Sequence, residues 1–361
     1  MTNSKKSSGK IKAHDITGRT ADYTANSKAH YAGVDGGATR TRCIVADEDG
    51  KVIGAAVTGP SNPLRTSVST AAAEITGAVA QATRGTGVEP ASIRAACLGV
   101  AGTRRGDTGK LLGREVSKMT GIPDVTVVTD AHAAFTGAIP GGWGVIALAG
   151  TGFIAFGMDG KGGSKYVDGL GPLLGDDGSA YSIGLEGLRS AARELDWRGT
   201  RTKFAESILD FLDVGDLDSL AVLTSKGDLD TARVASLAPL VLRACEKGST
   251  EAKLIIEVAA SRITDSIRAV AGHLDLGQPG YPVVLGGGLL ERDGPLRSIV
   301  TKLVSEGVPG ASLAGPFHSP KAGALALAVS GGDSAALESY LDKLKGEGVQ
   351  GEGVQGKGVA G

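Results

Sequence analysis

The chain has 361 residues, enough for about two domains. Its 38 basic and 39 acidic side chains leave a formal net charge of -1, so the whole protein has no field that would hold nucleic acid or an anionic membrane. No apolar run reaches the roughly 18 residues that a membrane span needs. The three cysteines (Cys43, Cys97 and Cys245) form no CxxC pair, which disfavours a zinc ribbon or a disulfide framework and indicates a reducing, cytoplasmic location.

Both ends of the chain are predicted to lie outside the folded core. Residues 1–30 are polar and carry no apolar stretch, so we expect a flexible extension rather than a secretory signal. Residues 346–361 repeat a glycine-rich pentapeptide that buries too little surface to offset its ordering entropy, so we expect a disordered tail.

The first half of the core, residues 31–140, has the pattern of a mixed α/β domain. Strands are predicted at 31–34, 41–46, 52–58, 95–100 and 125–129, and helices over 67–84 and after Asp107. The strands at 31–34 and 41–46 are joined by a turn that contains Gly36 and Gly37.

The second half, residues 141–315, begins in the same way. Strands at 144–149 and 153–157 are joined by Gly150, Thr151 and Gly152, residues 176–275 are mostly helical by period, and a strand at 282–285 ends in three glycines. Helices over 316–345 are predicted to return to the first half. The chain is therefore predicted to be two α/β halves, each of which opens with a glycine-bearing hairpin.

The glycine turns are candidate anion sites, because glycines after a strand let backbone N–H groups converge on a phosphate. In the first turn Asp35 is placed for a metal and Thr39 for a phosphate oxygen. Each turn by itself is also compatible with an ordinary hairpin. Two such turns in a duplicated chain would grip one polyphosphate from both sides.

Five motifs in order resemble the N-acetylglucosamine kinase branch of the actin-like ATPase superfamily, which includes the BadF/BadG-type ATPases. They read VDGGATRT, TDAHAAF, ALAGTGF, DGLGPLLGDDGSAYSIG and VVLGGG, and they span residues 31–330. The resemblance implies an α/β fold of two actin-like (ribonuclease H-like) lobes around a nucleotide and sugar cleft, with ATP and Mg²⁺ as cofactors. Members of the family often form homodimers.

The resemblance also assigns the phosphate and metal positions. It implies that Asp35 acts on Mg²⁺ through water and that the two turns hold the phosphates, while the last glycine run lies against the adenosine. The implied ATP-binding residues are Gly36, Gly37, Thr39, Gly150, Thr151, Gly152, Gly286, Gly287 and Gly288.

Asp130 follows the strand at 125–129, where the resembled kinases carry the acid that takes a proton from the attacking sugar hydroxyl. A carboxylate in reach of that hydroxyl serves as a general base. By itself, Asp130 would also suit the N-cap of a helix that begins near Ala131. His132 invites a proton relay, but a histidine in a first helical turn is more commonly packed.

Sugar recognition is predicted for Asn62, Asp130, Gly169, Asp176 and Ala180. Asn62 is also a plausible turn residue, and one of Asp176 and Asp177 is expected to cap the following helix. Leu170 stands where eukaryotic members of the family usually have a Trp that helps to wall the sugar pocket. The resemblance therefore leaves open which acyl group of an amino sugar this pocket accepts. The pair Arg104 and Arg105 is compatible with a phosphate contact, a substrate carboxylate or a solvated loop.

These residues predict an ATP-dependent kinase that phosphorylates the 6-hydroxyl of a hexose or amino sugar, with N-acetylglucosamine first among the candidates. Glucosamine, glucose, N-acetylmannosamine and N-acetylmuramic acid stay open as acceptors. The alternative is a nucleotide-driven switch whose closure regulates a partner protein, and a filament-forming actin relative is a weaker one.

Overall fold

A computed structural model describes residues 28–200, 202–277 and 279–344 of the chain. The predicted tail at 346–361 and the extension up to residue 27 lie outside the described residues, whereas His30 begins the first strand. No helix within the described ranges is long and apolar enough to cross a membrane.

The first sheet has five strands in the order β3-β2-β1-β4-β5. Strands β1 and β2 form an antiparallel hairpin, and β4 and β5 join parallel to β1 through helical crossovers. All five strands were predicted from the sequence within a few residues. The strands are β1 His30–Gly36, β2 Thr41–Asp47, β3 Val52–Thr58, β4 Ala95–Val100 and β5 Asp124–Val128.

Two helices cover one face of this sheet, and together with it they form the first lobe. Helix α1, Val68–Thr83, begins where the Ser67 side chain accepts the Thr70 N–H, and its alanine-rich face packs on β2 and β3. Helix α2, Thr108–Thr120, packs against α1 and β5. The core between them includes the buried side chains of Ile75, Leu98 and Leu112.

The second sheet repeats the first, because its order β10-β9-β6-β7-β8 places the strands in the same succession. Its strands are β6 Trp143–Ala149, β7 Phe153–Asp159, β8 Ser164–Asp168, β9 Tyr281–Gly286 and β10 Ala311–Ala314. Strands β8 and β10 were missed in the sequence. Both are short edge strands, and β10 carries only four residues with exposed alternate positions, so neither gives an apolar pattern.

Within the described residues, the helical stretch predicted over 176–275 is confirmed as six helices, which form the second lobe together with the second sheet and one later helix. These helices are α4 Ala180–Leu195, α5 Lys203–Leu212, α6 Leu217–Ser225, α7 Thr231–Ala235, α8 Ala238–Glu246, α9 Thr250–His273 and α10 Pro295–Gly307.

Helices α3, Asp130–Ala138, and α11, Pro320–Ser330, join the two lobes. They cross at Gly137 and Gly323, where a Cβ on either glycine would overlap the backbone of the other helix. Phe135 of α3 meets Phe156 of the second sheet edge-to-face at 5.4 Å, while α11 packs on β1 of the first sheet. The last helix, α12 Ser334–Leu344, lies against α11.

The sequence predicts all three cysteines to be small core residues, and two of them are. Cys43 and Cys97 are buried in strands, and burial raises the pKa of each thiol to about 12. Cys245 is partly exposed in α8, and none of the three is in a disulfide. A thiol with so high a pKa is inert as a nucleophile at neutral pH.

Candidate active site

The first glycine turn joins β1 to β2 and is closed by its own backbone. Gly37 donates its N–H to the Arg40 carbonyl at 3.0 Å, and the Gly37 carbonyl accepts the Ser61 N–H at 3.1 Å. The amides of Ala38 and Thr39 make no hydrogen bond among the described residues. The turn therefore presents two adjacent donors to an anion, and they lie one and two residues beyond the predicted Gly37.

Asp35 lies in β1 directly across from Arg42, which donates to its carboxylate at 3.0 Å. Its side chain is only 17% exposed. Burial raises the pKa of this carboxyl, and the Arg42 guanidinium acts in the opposite direction. Asp35 is thus a partly desolvated carboxylate one residue before the glycine turn.

Asp130 is the first residue of α3, and the cap is the residue before it. Thr129 accepts the His132 N–H on its hydroxyl at 3.0 Å, so the expectation that Asp130 itself caps this helix is wrong. Burial raises the pKa of Asp130 to about 6; the backbone N–H of Ala131 opposes this rise, and the negative charge of Asp35 adds to it.

His132 packs against the Phe156 ring at a centroid distance of 5.6 Å. Burial lowers the pKa of its imidazole, which favours the neutral ring. The packed interpretation of His132 therefore accounts for its position better than a relay does.

The second glycine turn joins β6 to β7 and rests on the start of α4. The Gly150 N–H donates to the Gly152 carbonyl at 2.9 Å, and the Gly150 carbonyl accepts the Ala180 N–H at 2.9 Å. The amides of Thr151 and Gly152 have no partner among the described residues. This turn presents two open donors, as the first does.

The three glycines after β9 have different surroundings. Gly287 has φ +82, and a Cβ there would lie 2.5 Å from the Ala149 carbonyl oxygen, so this glycine brings β9 against the end of β6. Gly286 closes β9 beside Leu148. A Cβ on Gly288 would meet no atom within 4 Å, so the backbone there faces open space.

The loop between β8 and α4 carries two of the predicted sugar residues, Gly169 and Asp176, and the Asp168 side chain holds this loop closed. Its carboxylate accepts the Asp176 N–H at 2.6 Å and the Asp177 N–H at 3.1 Å. Asp176 in turn accepts the Phe153 N–H at 3.1 Å, which ties the loop to the second glycine turn. Sequence analysis missed Asp168; the Asp-Gly pair at the loop entry was the available signal.

The cap of α4 is Ser179, whose hydroxyl accepts the Ser182 N–H at 3.1 Å. The expectation that Asp176 or Asp177 caps this helix is therefore wrong. Ala180 is buried at the first helical position, while Gly169 has φ +64 and Leu170 is 43% exposed.

Asn62 serves as a turn residue, as one interpretation expected. Its Oδ1 accepts the Leu64 N–H at 3.0 Å. Its Nδ2 amide makes no hydrogen bond within the part of the chain that the structure describes, so two donors stay available to a ligand.

Tyr166 and Arg104 connect the two lobes beside Asp130. The Tyr166 hydroxyl lies 2.9 Å from the Thr129 hydroxyl, and the Arg104 guanidinium lies 5.3 Å from the Tyr166 ring centroid. Arg104 also donates to the Asp168 carbonyl at 3.4 Å. Tyr166 could not be identified from the sequence, because it lies in the unpredicted strand β8.

These residues place a carboxylate with a raised pKa beside a glycine turn with open amides, at the junction of two lobes. Backbone donors suit phosphate oxygens, and a carboxylate with a pKa of about 6 suits proton transfer near neutral pH. Such an arrangement can hold a polyphosphate and deprotonate a hydroxyl.

Curated proteins similar to this chain include two sugar kinases. An N-acetylmuramic acid/N-acetylglucosamine kinase of Clostridium acetobutylicum is 27% identical over 301 residues, which cover 83% of this chain and 98% of that protein. An N-acetyl-D-glucosamine kinase of Dictyostelium discoideum is 28% identical over 315 residues, covering 84% and 99%.

Among solved structures, a Chromobacterium violaceum protein assigned as an N-acetylglucosamine kinase superimposes with a TM-score of 0.70 at 26% identity. The match covers 83% of this chain and 99% of that one. The two-lobed α/β fold implied by the five motifs is therefore confirmed. The model of the BadF/BadG/BcrA/BcrD ATPase family matches residues 32–328, and this chain belongs to that family.

Proposed function

We propose that the protein is an ATP-dependent sugar kinase that phosphorylates the 6-hydroxyl of a hexose or amino sugar, with N-acetylglucosamine as the first candidate. The observation that carries the proposal is Asp130, a carboxylate that is not used as a helix cap and whose pKa is raised to about 6. The curated relatives, whose names are those of amino-sugar kinases, support the same reaction.

The reaction is a displacement at the γ-phosphorus of ATP. The sugar hydroxyl oxygen forms a bond to that phosphorus while the bond to the β–γ bridging oxygen breaks, and ADP leaves. Asp130 accepts the hydroxyl proton and later releases it to water. The products are ADP, the sugar 6-phosphate and one proton.

The glycine turns supply the contacts to the phosphates. Ala38 and Thr39 on one lobe and Thr151 and Gly152 on the other have the open backbone amides. Gly36, Gly37 and Gly150 shape these turns, and Gly286, Gly287 and Gly288 form the surface for the adenosine. Fixed donors of this kind stabilise charge on the transferred group without reorganisation.

Mg²⁺ fits this site, because a carboxylate lies at the phosphate turn and close enough to Asp130 for its charge to raise the Asp130 pKa. Mg²⁺ is commonly held by one or two carboxylates together with waters and substrate phosphates. No group of three His, Cys, Asp or Glu side chains suited to a metal occurs in the described ranges. Asp35 would hold the ion through water, and the ion would neutralise charge on the phosphates.

The acceptor sugar would lie between Asn62 on the first lobe and the β8–α4 loop on the second. The Asn62 amide donates to a hydroxyl, and the Asp176 carboxylate accepts from one. Gly169 and Ala180 line the same loop, and the exposed Leu170 borders the acyl group.

The test follows ADP release from Mg²⁺ and ATP with and without each of N-acetylglucosamine, glucosamine, glucose, N-acetylmannosamine and N-acetylmuramic acid. We expect at least one amino sugar to accelerate ADP release and its 6-phosphate to appear. Slow ADP release that no sugar changes, with no sugar phosphate formed, would contradict the proposal and favour a nucleotide-driven switch.

A further inference from the structure

Helix α2 has two different flanks, and one of them borders an open groove. On one side Leu112 and Val116 are buried in the core of the first lobe, where the helix also contacts α1. The other side faces β5, which ends the first sheet and has β4 as its one partner among the described strands. A groove of about 670 Å³ lies between this flank of α2 and β5, and we call it the α2–β5 groove.

Two glycines of α2 bring the helix close to the strand. A Cβ on Gly113 would lie 3.1 Å from the Val127 Cγ2, and a Cβ on Gly109 would lie 3.6 Å from the Val127 Cγ1. Val125 and Val127 are half-buried and line the groove. Because the two glycines carry no side chain, residues of β5 form the floor of the groove.

The open edge of β5 offers hydrogen-bonding groups to one more strand. In a parallel sheet, alternate residues direct their N–H and C=O groups to opposite neighbours, so about half of these groups in β5 face away from β4. Proteins commonly protect such an edge with a lysine, a proline or a bulge within the strand. The sequence of β5, DVTVV, contains no lysine or proline, and its pairing with β4 has a continuous register. This edge therefore suits the addition of an extended peptide.

A row of cations borders the groove on the helix side. Lys110, Arg114 and Lys118 (the basic row) stand four residues apart on α2, so they project from one face at intervals of about 6 Å. Lys110 lies 3.4 Å from the Asp107 carboxylate, and both of these side chains are exposed. Arg114 and Lys118 form no ion pair within the residues that the structure describes.

The other acidic residues of α2 and β5 do not neutralise the basic row. Glu115 of α2 forms no ion pair within the described ranges. Asp124 begins β5, but the alternation of a strand puts its side chain on the face of the sheet opposite to α2. Cys97 lies on that opposite face; burial raises the pKa of its thiol, and the charge of Asp124 raises it further. The groove side of α2 therefore keeps a positive charge.

We propose that the α2–β5 groove binds an extended acidic segment of a partner protein, which adds to β5 as a sixth strand. Alternate side chains of a strand stand about 6.6–6.8 Å apart, close to the spacing of the basic row. A segment with an acid at every second residue would therefore place its carboxylates opposite all three cations while its backbone pairs with β5. The inference does not depend on the proposed kinase reaction, because none of the residues assigned to that reaction lines the groove.

The experiment titrates the full-length protein into dye-labelled heptapeptides and follows fluorescence anisotropy. The probe alternates Glu and Thr, a block isomer has the same composition with its Glu residues together, and a neutral analogue has Gln in place of Glu. We expect the alternating peptide to bind about tenfold more tightly than the other two, with an affinity that falls at high salt. Bound peptide should also slow the amide hydrogen exchange of residues 124–128, because strand addition pairs their free backbone groups.

The variants Arg114→Gln and Lys118→Gln test the basic row. Both residues are exposed, so the fold should be kept, and each change should weaken the alternating peptide about fivefold, the upper value for an exposed ion pair. The matched control Arg84→Gln removes an exposed arginine of the same lobe at the end of α1 and should leave the affinity unchanged.

Three results would overturn the proposal: equal affinity for the alternating peptide and its block isomer, an affinity that neither variant changes, or unaltered exchange over residues 124–128. An affinity that rises as the protein is diluted would also overturn it, because a second copy of the chain would then be the occupant of the groove.

Discussion

The two lobes repeat one sheet, yet they differ at the positions where chemistry is possible. The strand before the first glycine turn has Asp35 one residue before its last paired position, Gly36, and the second lobe has Leu148 at the corresponding place before Ala149. Both turns keep open amides, so both suit phosphate. Only the first turn has a carboxylate on the strand that leads into it.

The helices that follow β5 and β10 also differ in whether they begin with an acidic residue. Helix α3 begins Thr129-Asp130 and α11 begins Ser319-Pro320, so an acid in one lobe stands where the other has a proline. Proline suits a first helical position and contributes no titratable group. In the proposed function, the duplicated glycine turns account for phosphate binding, and the acids that occur only in the first half account for the reaction.

The largest expected loss of turnover comes from replacing Asp130, the acid that α3 has and α11 lacks. The variant Asp130→Asn keeps the side-chain shape and removes the base, so sugar-dependent turnover should fall about 10²–10⁴-fold. Nucleotide affinity, measured by calorimetry, should change little, because the turns proposed to hold the phosphates are intact.

The matched control is Asp107→Asn, which removes an exposed acid at the start of α2 on the same lobe. It should leave turnover within a factor of about two, as surface substitutions usually do. Sugar-dependent turnover that survives in the Asp130→Asn protein would remove Asp130 from the role of base.

The second effect is on the pH profile. Because burial and Asp35 raise the Asp130 pKa to about 6, the carboxylate is ionised above this pH and protonated below it. The protonated form cannot accept the hydroxyl proton, so kcat at saturating MgATP and sugar should fall about tenfold per pH unit below 6. Stopped assays of sugar phosphate between pH 4.5 and 8 measure this fall in kcat. A kcat that does not change across pH 6 would contradict the role of Asp130 as the base.

The sequence predicts the parts of this site that depend on local chain geometry. Both glycine turns and Asp130 follow strands with clear apolar patterns, so their positions could be assigned from the residues alone. The two helix caps could not, since Thr129 competes with Asp130, and Ser179 with Asp176 and Asp177. Asp, Ser and Thr have nearly the same capping tendency, and the backbone decides among them.

Contacts between distant segments were beyond the sequence for a different reason. Tyr166 reaches Thr129 from an edge strand too short to show a pattern, and Asp168 holds the amides of residues eight and nine positions ahead. The first contact depends on how the lobes are packed and the second on how a long loop folds, and no local pattern encodes either.

The smallest expected effects are on two adjacent glycines of the second lobe, Gly287 and Gly288. Replacing the first should lower the stability of the fold, and replacing the second should weaken ATP binding. Gly287→Ala places a Cβ 2.5 Å from the Ala149 carbonyl oxygen in a residue with φ +82, so the free energy of unfolding should fall by about 1–3 kcal/mol. Gly288→Ala meets no atom within 4 Å and should unfold almost as the parent does, but its methyl group enters the space proposed for adenosine and should raise the KM for ATP. Urea unfolding and ATP titration of the two variants measure the contrast. If the KM for ATP in Gly288→Ala is unaltered, the nucleoside lies elsewhere. A bound adenosine at this position would compete with the added methyl group for the same space.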